Sequence, residues 1–123
     1  MRQVFAVVLL VMCVVMLGTI AAAENQMGIK DSYQVTFSQQ VRVGNTLLPE
    51  GNYQIRHVME GTNHIMVFRQ LGEKNPVEVR AKCTLVSLNG KAGRDEKTYT
   101  VNAANELVLQ ELIFAGDHSK HVF

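Results

Sequence analysis

The sequence predicts an all-β protein: an antiparallel β-sandwich or small barrel of about seven or eight short strands, preceded by an N-terminal signal-peptide helix. Three observations predict it. Apolar residues recur at period two from Tyr33 onward. Turn signals rich in Gly, Pro and Asn interrupt them about every ten residues. No connection is long enough for the crossover helices that a parallel sheet requires.

The elements follow in order. In "YQVTF" the residues Tyr33, Val35 and Phe37 alternate with Gln34 and Thr36, the pattern of a half-buried strand. "QVRVGNTLL" repeats it with Val41 and Val43, then meets Gly44-Asn45, a dipeptide suited to a tight hairpin. In "LPEGNY", Pro49 presets φ at one corner and Gly51 tolerates the left-handed conformation that closes the turn. Two longer strands, Asn52 to Met59 and His64 to Gln70, are joined through Glu60-Gly61-Thr62-Asn63. "PVEVRAKCTLVSL" places Val77, Val79, Ala81, Cys83 and Leu85 on one face, against Glu78, Arg80, Lys82 and Thr84 on the other. Asn89 to Lys97, with two glycines and five charges, reads as an exposed loop, and "TYTVNA" as a short strand. "NELVLQELIFAG" leaves two readings open. Asn105 could cap a helix, whereas the period-two context favours a strand from about Leu107 to Phe114, which we prefer. "HSKHVF" reads as a last short edge strand.

The first 23 residues differ in kind from the rest. Arg2 precedes the apolar run "VFAVVLLVMCVVMLGTI", and Ala21 and Ala23 occupy the small-residue positions of an A-x-A exit. This is the layout of a secretory signal, cleaved after Ala23. An uncleaved anchor is the alternative, because Val4 to Ala23 is close to the ~20 apolar residues that span a bilayer. The expected organisation is therefore a signal peptide over 1–23, a flexible lead-in over 24–32 and one β-sandwich domain over 33–123. Export to the periplasm or the cell exterior follows, and membrane contact is expected only through an uncleaved signal segment.

Removing 23 of the 123 residues leaves 100, a single domain able to bury a modest core. Arg2 is the sole charge removed, so 11 basic residues then balance 11 acidic ones. The signs are interspersed, which points away from nucleic acid and strongly charged substrates. Cys83 is the one cysteine outside the signal segment, so no internal disulfide is expected. It alternates into an apolar face, where a thiol behaves as a small hydrophobe. An intermolecular disulfide or a reactive thiol is the other reading. Edge strands of a small sandwich can also pair between copies, which leaves a homodimer open.

The sequence holds no G-x-S-x-G elbow, Walker A run, H-E-x-x-H or C-x-x-C motif, so no catalytic residue set is assigned. The His/Met cluster in "YQIRHVMEGTNHIMVF" carries the most chemistry. With Gly61-Thr62 as a two-residue tip, Met59 faces His64, His57 faces Met66, and Ile55 faces Phe68. Period two then places His57, Met59, His64 and Met66 on one face. Imidazole and thioether suit copper, Cu(I) above all, which makes these four a candidate metal set. The plainer reading is a hairpin core: Tyr53, Ile55 and Phe68 share the face, and methionine fills core gaps. His118 and His121 could contribute to a site, yet H-x-x-H on an extended segment points its rings to opposite faces.

"VRVGNTLLPEGNYQI" resembles small secreted bacterial proteins of unknown function that carry a G-x-x-x-L-P-x-G-x-Y motif after a signal peptide. Gly44, Leu48, Pro49, Gly51 and Tyr53 match it. Similar L-P-x-G-x-Y turns occur in prealbumin-like and other extracellular sandwich modules, so the resemblance implies a non-catalytic sandwich and speaks to fold. The expected function is a secreted, non-catalytic binding or structural module for a protein or small-molecule ligand, with no cofactor. A periplasmic copper-binding protein using the hairpin face is the first alternative. A small hydrolase or isomerase with a loop-built site is the second.

Overall fold

A computed structural model describes residues 28–123. The expected signal segment and the first part of the lead-in lie outside the described residues. Among those residues the chain is all-β: nine strands in one mixed sheet and no helix. The strands are β1 (Ser32–Phe37), β2 (Val41–Val43), β3 (Thr46–Leu48), β4 (Gly51–Glu60), β5 (Asn63–Gln70), β6 (Glu78–Ser87), β7 (Glu96–Val101), β8 (Leu107–Ile113) and β9 (Ser119–Val122). Neighbours run β1-β4-β5-β6-β9-β8-β2-β3, with β7 on the other side of β8.

Local chemistry accounts for the hairpins. Gly44 takes φ +59° while Asn45 does not turn positive, the sign pattern of a type II′ tip, and Val43 pairs Thr46 across it. Gly61 (φ +62°) with Thr62 does the same between β4 and β5. The expected register holds there: Met59 opposite His64, His57 opposite Met66, Ile55 opposite Phe68. At the Pro49–Gly51 corner the buried Tyr53 hydroxyl donates to the Pro49 carbonyl at 2.6 Å. The tyrosine thereby ties its strand to the turn that launches it, which is the physical content of the L-P-x-G-x-Y stretch.

The inner face follows period two. β1 buries Tyr33, Val35 and Phe37, β4 buries Tyr53, Ile55 and His57, and β6 buries Ala81 and Cys83. Phe37 packs against Tyr53 and Phe68 with ring centroids 5.5 and 6.5 Å away, and Leu48, Val43, Leu109 and Leu112 complete the cluster. β5 departs from alternation, burying Ile65, Met66, Val67 and Phe68 in succession, so it is covered on both faces.

Four expectations need correction. The strands number nine rather than seven or eight, with β2 and β3 standing as separate strands of three residues each on either side of the Gly44-Asn45 tip. The sheet is not wholly antiparallel: β2 runs parallel to β8, Val41 beside Leu107 and Arg42 beside Val108. No crossover helix is needed, since the chain between them is spent on other strands of the sheet. β9 is not an edge strand. It lies between β6 and β8, pairing Thr84–Ser87 on one side and Glu111–Leu112 on the other. The loop from Asn89 ends earlier than expected, because Glu96 and Lys97 already pair with Ile113 and Leu112.

Residues 28–31, assigned from sequence to a flexible lead-in, are docked. Ile29 is fully buried, the Gly28 carbonyl accepts from the His118 amide at 2.9 Å, and the Asp31 carbonyl accepts from the His57 amide at 3.0 Å. The 107–113 segment is a strand, as preferred. Asn105, the helix cap of the alternative reading, instead takes φ +60° in the β7–β8 turn.

Tyr53→Phe is expected to lower unfolding stability by about 1 kcal/mol, because one buried carbonyl bond is lost without a cavity. Phe68→Ala removes a core ring and should cost about 3–5 kcal/mol. Urea unfolding of the three proteins side by side checks both magnitudes.

Candidate functional site

Four neighbouring strands of the sheet each contribute one polar or thiol side chain to the same inner region. β4 supplies His57, β5 His64, β6 Cys83 and β9 His121. The register explains their meeting. His64 is the cross-strand partner of Cys83, and His57 lies two residues inward of Met59, the partner of His64. His121 pairs Leu85, two residues beyond Cys83 on β6. Period two therefore turns all four to one side.

The side chains meet in two pairs. His57 Nε2 and His64 Nδ1 are 2.9 Å apart, so one of the two rings carries a proton on that edge and donates it to the other. Cys83 Sγ lies 3.8 Å from His121 Nδ1. The pairs adjoin, since the His57 and His121 ring centroids are 6.1 Å apart. His121 has no solvent exposure, and its Nε2 has no hydrogen-bond partner. Its ring meets Tyr33 and Phe114 edge-on, each at 5.8 Å, and those two rings stack at 3.8 Å. Behind them the Tyr33 hydroxyl donates to Asp117 Oδ2 at 2.5 Å and accepts from the Lys30 amide at 2.9 Å.

This environment opposes charge. Burial, then the neighbouring His57 and His64, push His121 down to about 4. Burial and His64 lower His57 as well, with Asp31 opposing weakly. Burial raises the Cys83 thiol to about 11. The Tyr33 hydroxyl is also raised, by burial first and by the Asp117 carboxylate second. At neutral pH the Cys83–His121 contact is thus a thiol beside a neutral imidazole, not a thiolate–imidazolium pair.

The sequence-predicted site residues divide. His57 and His64 come together, and Met66 is fully buried opposite His57. Met59 is 46% exposed, beyond the edge of the core. His118 is drawn away from His121: its ring lies against Gly28 while its carbonyl accepts from the Leu88 amide at 2.8 Å. Among the described residues no three His, Cys, Asp or Glu side chains stand arranged around one ion position. Sequence reasoning did not bring His121 to Cys83. Opposite facing of the two tail histidines was the available signal, but it could not name the strand that β9 would join.

A second feature lies near the start of β8. Arg42 holds Glu106 with two bonds, Nε to Oε1 at 3.0 Å and Nη2 to Oε2 at 2.9 Å, and Asn102 Nδ2 donates to Oε1 at 2.9 Å. Arg42 and Asn102 hold the Glu106 carboxyl below its usual range. This network steadies one wall of an open cleft of about 860 Å³, whose lining includes Gln39, Gln40, Glu50, Val101 and Asn105. The cleft is larger than any opening beside the histidines, but its titratable groups, Glu50 and the ion-paired Glu106, form no acid–base set.

No protein-family model matches this chain, and neither does any curated protein or solved structure.

His121 sets a pH dependence. Unfolded, it titrates near 6.5; folded, near 4. Between those values the unfolded chain binds more protons, so its contribution is full above about 6.5, falls with pH and levels off below about 4. The loss should approach roughly 3 kcal/mol, with His57 adding in the same direction. Urea unfolding in chelator-containing buffer at pH 7 and 4.5 should show a smaller drop for His121→Gln than for the unaltered chain. Equal drops would contradict the assignment.

Proposed function

We propose that the protein is an exported, non-catalytic β-sandwich module that acts by binding. One observation carries the non-catalytic part of the reading. The Cys83–His121 contact at 3.8 Å sets a thiol beside an imidazole, and burial keeps both neutral. A cysteine nucleophile needs thiolate, which a depressed thiol pKa supplies. Here the shift runs the other way, which weighs against the hydrolase or isomerase reading.

Export rests on the signal layout of residues 1–23. The two-layer reading is supported by packing between the halves of the sheet path: Tyr33 of β1 stacks on Phe114, just after β8, and the core draws on β1, β4, β5, β2 and β8 alike. The Tyr53–Pro49 bond gives the L-P-x-G-x-Y turn a structural purpose in keeping with the resemblance to secreted sandwich modules. The cleft beside Glu106 offers room for a small neutral ligand, with amide groups on its rim.

Copper handling by the β4–β5 hairpin is the second reading, favoured by the 2.9 Å approach of His57 and His64. The thioether half of that set is weaker, because Met59 faces solvent.

A thiol near 11 leaves roughly one molecule in a thousand as thiolate at pH 8. Alkylation of Cys83 by iodoacetamide should therefore be at least about a hundredfold slower than that of free cysteine at the same pH. A rate at or above that of free cysteine would overturn the non-catalytic reading.

A further inference from the structure

We propose that His57, His64, Cys83 and His121 together form a binding site for one Cu(I) ion, with Cys83 in place of the two methionine sulfurs. This deepens the reading of the protein as a non-catalytic binding module, on which it rests, by naming a ligand. It also moves the metal from the hairpin alone to a region spanning four strands.

Three observations carry it. The first is composition: three imidazoles and a thiol converge in an otherwise apolar inner face, from four strands adjacent in the sheet. The second is spacing. Metal bonds of about 2.0–2.1 Å to nitrogen and about 2.3 Å to sulfur place tetrahedral donors roughly 3.3–3.6 Å apart. The His57–His64 edge, at 2.9 Å, and the Cys83–His121 edge, at 3.8 Å, bracket that range. The two pairs do not surround a common point, so binding requires the rings to turn about their side-chain bonds. The third observation is burial: His121 has no solvent exposure, so its Nδ1 and the Cys83 sulfur are held together away from water.

Charge selects the metal. Cu(I) with one thiolate and three neutral imidazoles forms a neutral unit, whereas Zn(II) in the same set leaves a net positive charge with no second anionic ligand, the nearby Asp117 carboxylate being engaged by Tyr33. Soft thiolate also suits Cu(I). Entry is provided by a shallow cavity of about 310 Å³ whose walls include Asn63, His64, Cys83 and Val122, so the site opens to solvent past His64.

The chemistry balances without redox change. Cys83 exchanges its S–H bond for an S–Cu bond and gives one proton to solvent, while copper stays Cu(I). The proton on the His57–His64 edge moves to the far nitrogen of the ring that carries it, freeing both inner nitrogens. Each imidazole binds through a ring-nitrogen lone pair and keeps its other N–H.

The test titrates the reduced, metal-free protein anaerobically with the Cu(I)–bicinchoninate complex. One equivalent of Cu(I) should leave the chelator per chain, with one proton released per ion. Cys83→Ser and His121→Gln should each weaken binding more than about a hundredfold, since losing a ligand exceeds the 10–100-fold typical of outer-shell changes. Met59→Leu and Met66→Leu should change it less than about threefold, because neither supplies a ligand in the proposed set. No withdrawal of Cu(I), or binding that survives both Cys83→Ser and His121→Gln, overturns the site. So does Zn(II) held at one equivalent while Cu(I) is refused. Should a ligand variant fail to fold, copper-edge X-ray absorption of the loaded unaltered protein decides: one sulfur in the shell is expected, and none or two overturns it. Failure here leaves the module reading standing, because slow alkylation of Cys83 is measured without copper.

Discussion

The structure depends on the register of the β4–β5 hairpin. Side chains alternate across a strand, so a slip of one residue at Gly61-Thr62 would take His57 and Ile55 of β4 off the face they share with Met66 and Phe68 of β5. Two features hold it. Gly61 supplies the positive φ of a two-residue tip, and this pairing buries Tyr53 and Ile55 of β4 with Met66 and Phe68 of β5. β6 takes its alignment from β5, His64 opposite Cys83, and hands its second half to β9 from Thr84 onward. The polar cluster is thus a consequence of strand alignment, which the apolar residues of β4 and β5 help to set.

That cluster works against the stability of the sheet that holds it. Apolar side chains at positions 57, 83 and 121 would pack without desolvating ring nitrogens. The chain instead keeps two histidines neutral by burial and leaves His121 Nε2 without a bond. The Tyr33–Asp117 contact behind them adds another buried polar pair to the same end of the core. Polar groups gathered at one end, with a clean apolar cluster of Phe37, Tyr53 and Phe68 at the other, divide the interior into a part that stabilises and a part that can do chemistry.

What was legible in the sequence follows the range of each interaction. Hairpins are local, so Gly44-Asn45 and Gly61-Thr62 disclosed their pairings through turn chemistry alone. The strand at 107–113 was legible through its period. Pairings between distant segments were not. Nothing local in "HSKHVF" says that it enters between β6 and β8, and with that fact hidden, His121 could not be brought to Cys83. The parallel contact of β2 with β8 was hidden for the same reason. Met59 shows a different limit: period two gives the side of the sheet a residue faces but not its depth, and Met59 lies on the inner side past the point where the core ends. Ile29 shows the reverse, a single apolar residue in a polar stretch that the fold nonetheless buries.

The insertion of β9 bears on the order in which the molecule can assemble. Among the described residues Ser119–Val122 bridges β6 and β8, so until that short segment is in place both carry open backbone donors and acceptors along facing edges. Pairing with β8 is local, but pairing with β6 joins distant segments of the chain, a contact of the kind that slows folding relative to hairpin formation. In the interval those edges are available to other chains. A sheet whose final piece belongs in its middle trades speed of folding for a seam that, once filled, has no loose end at the place where four strands bring their histidines and thiol together.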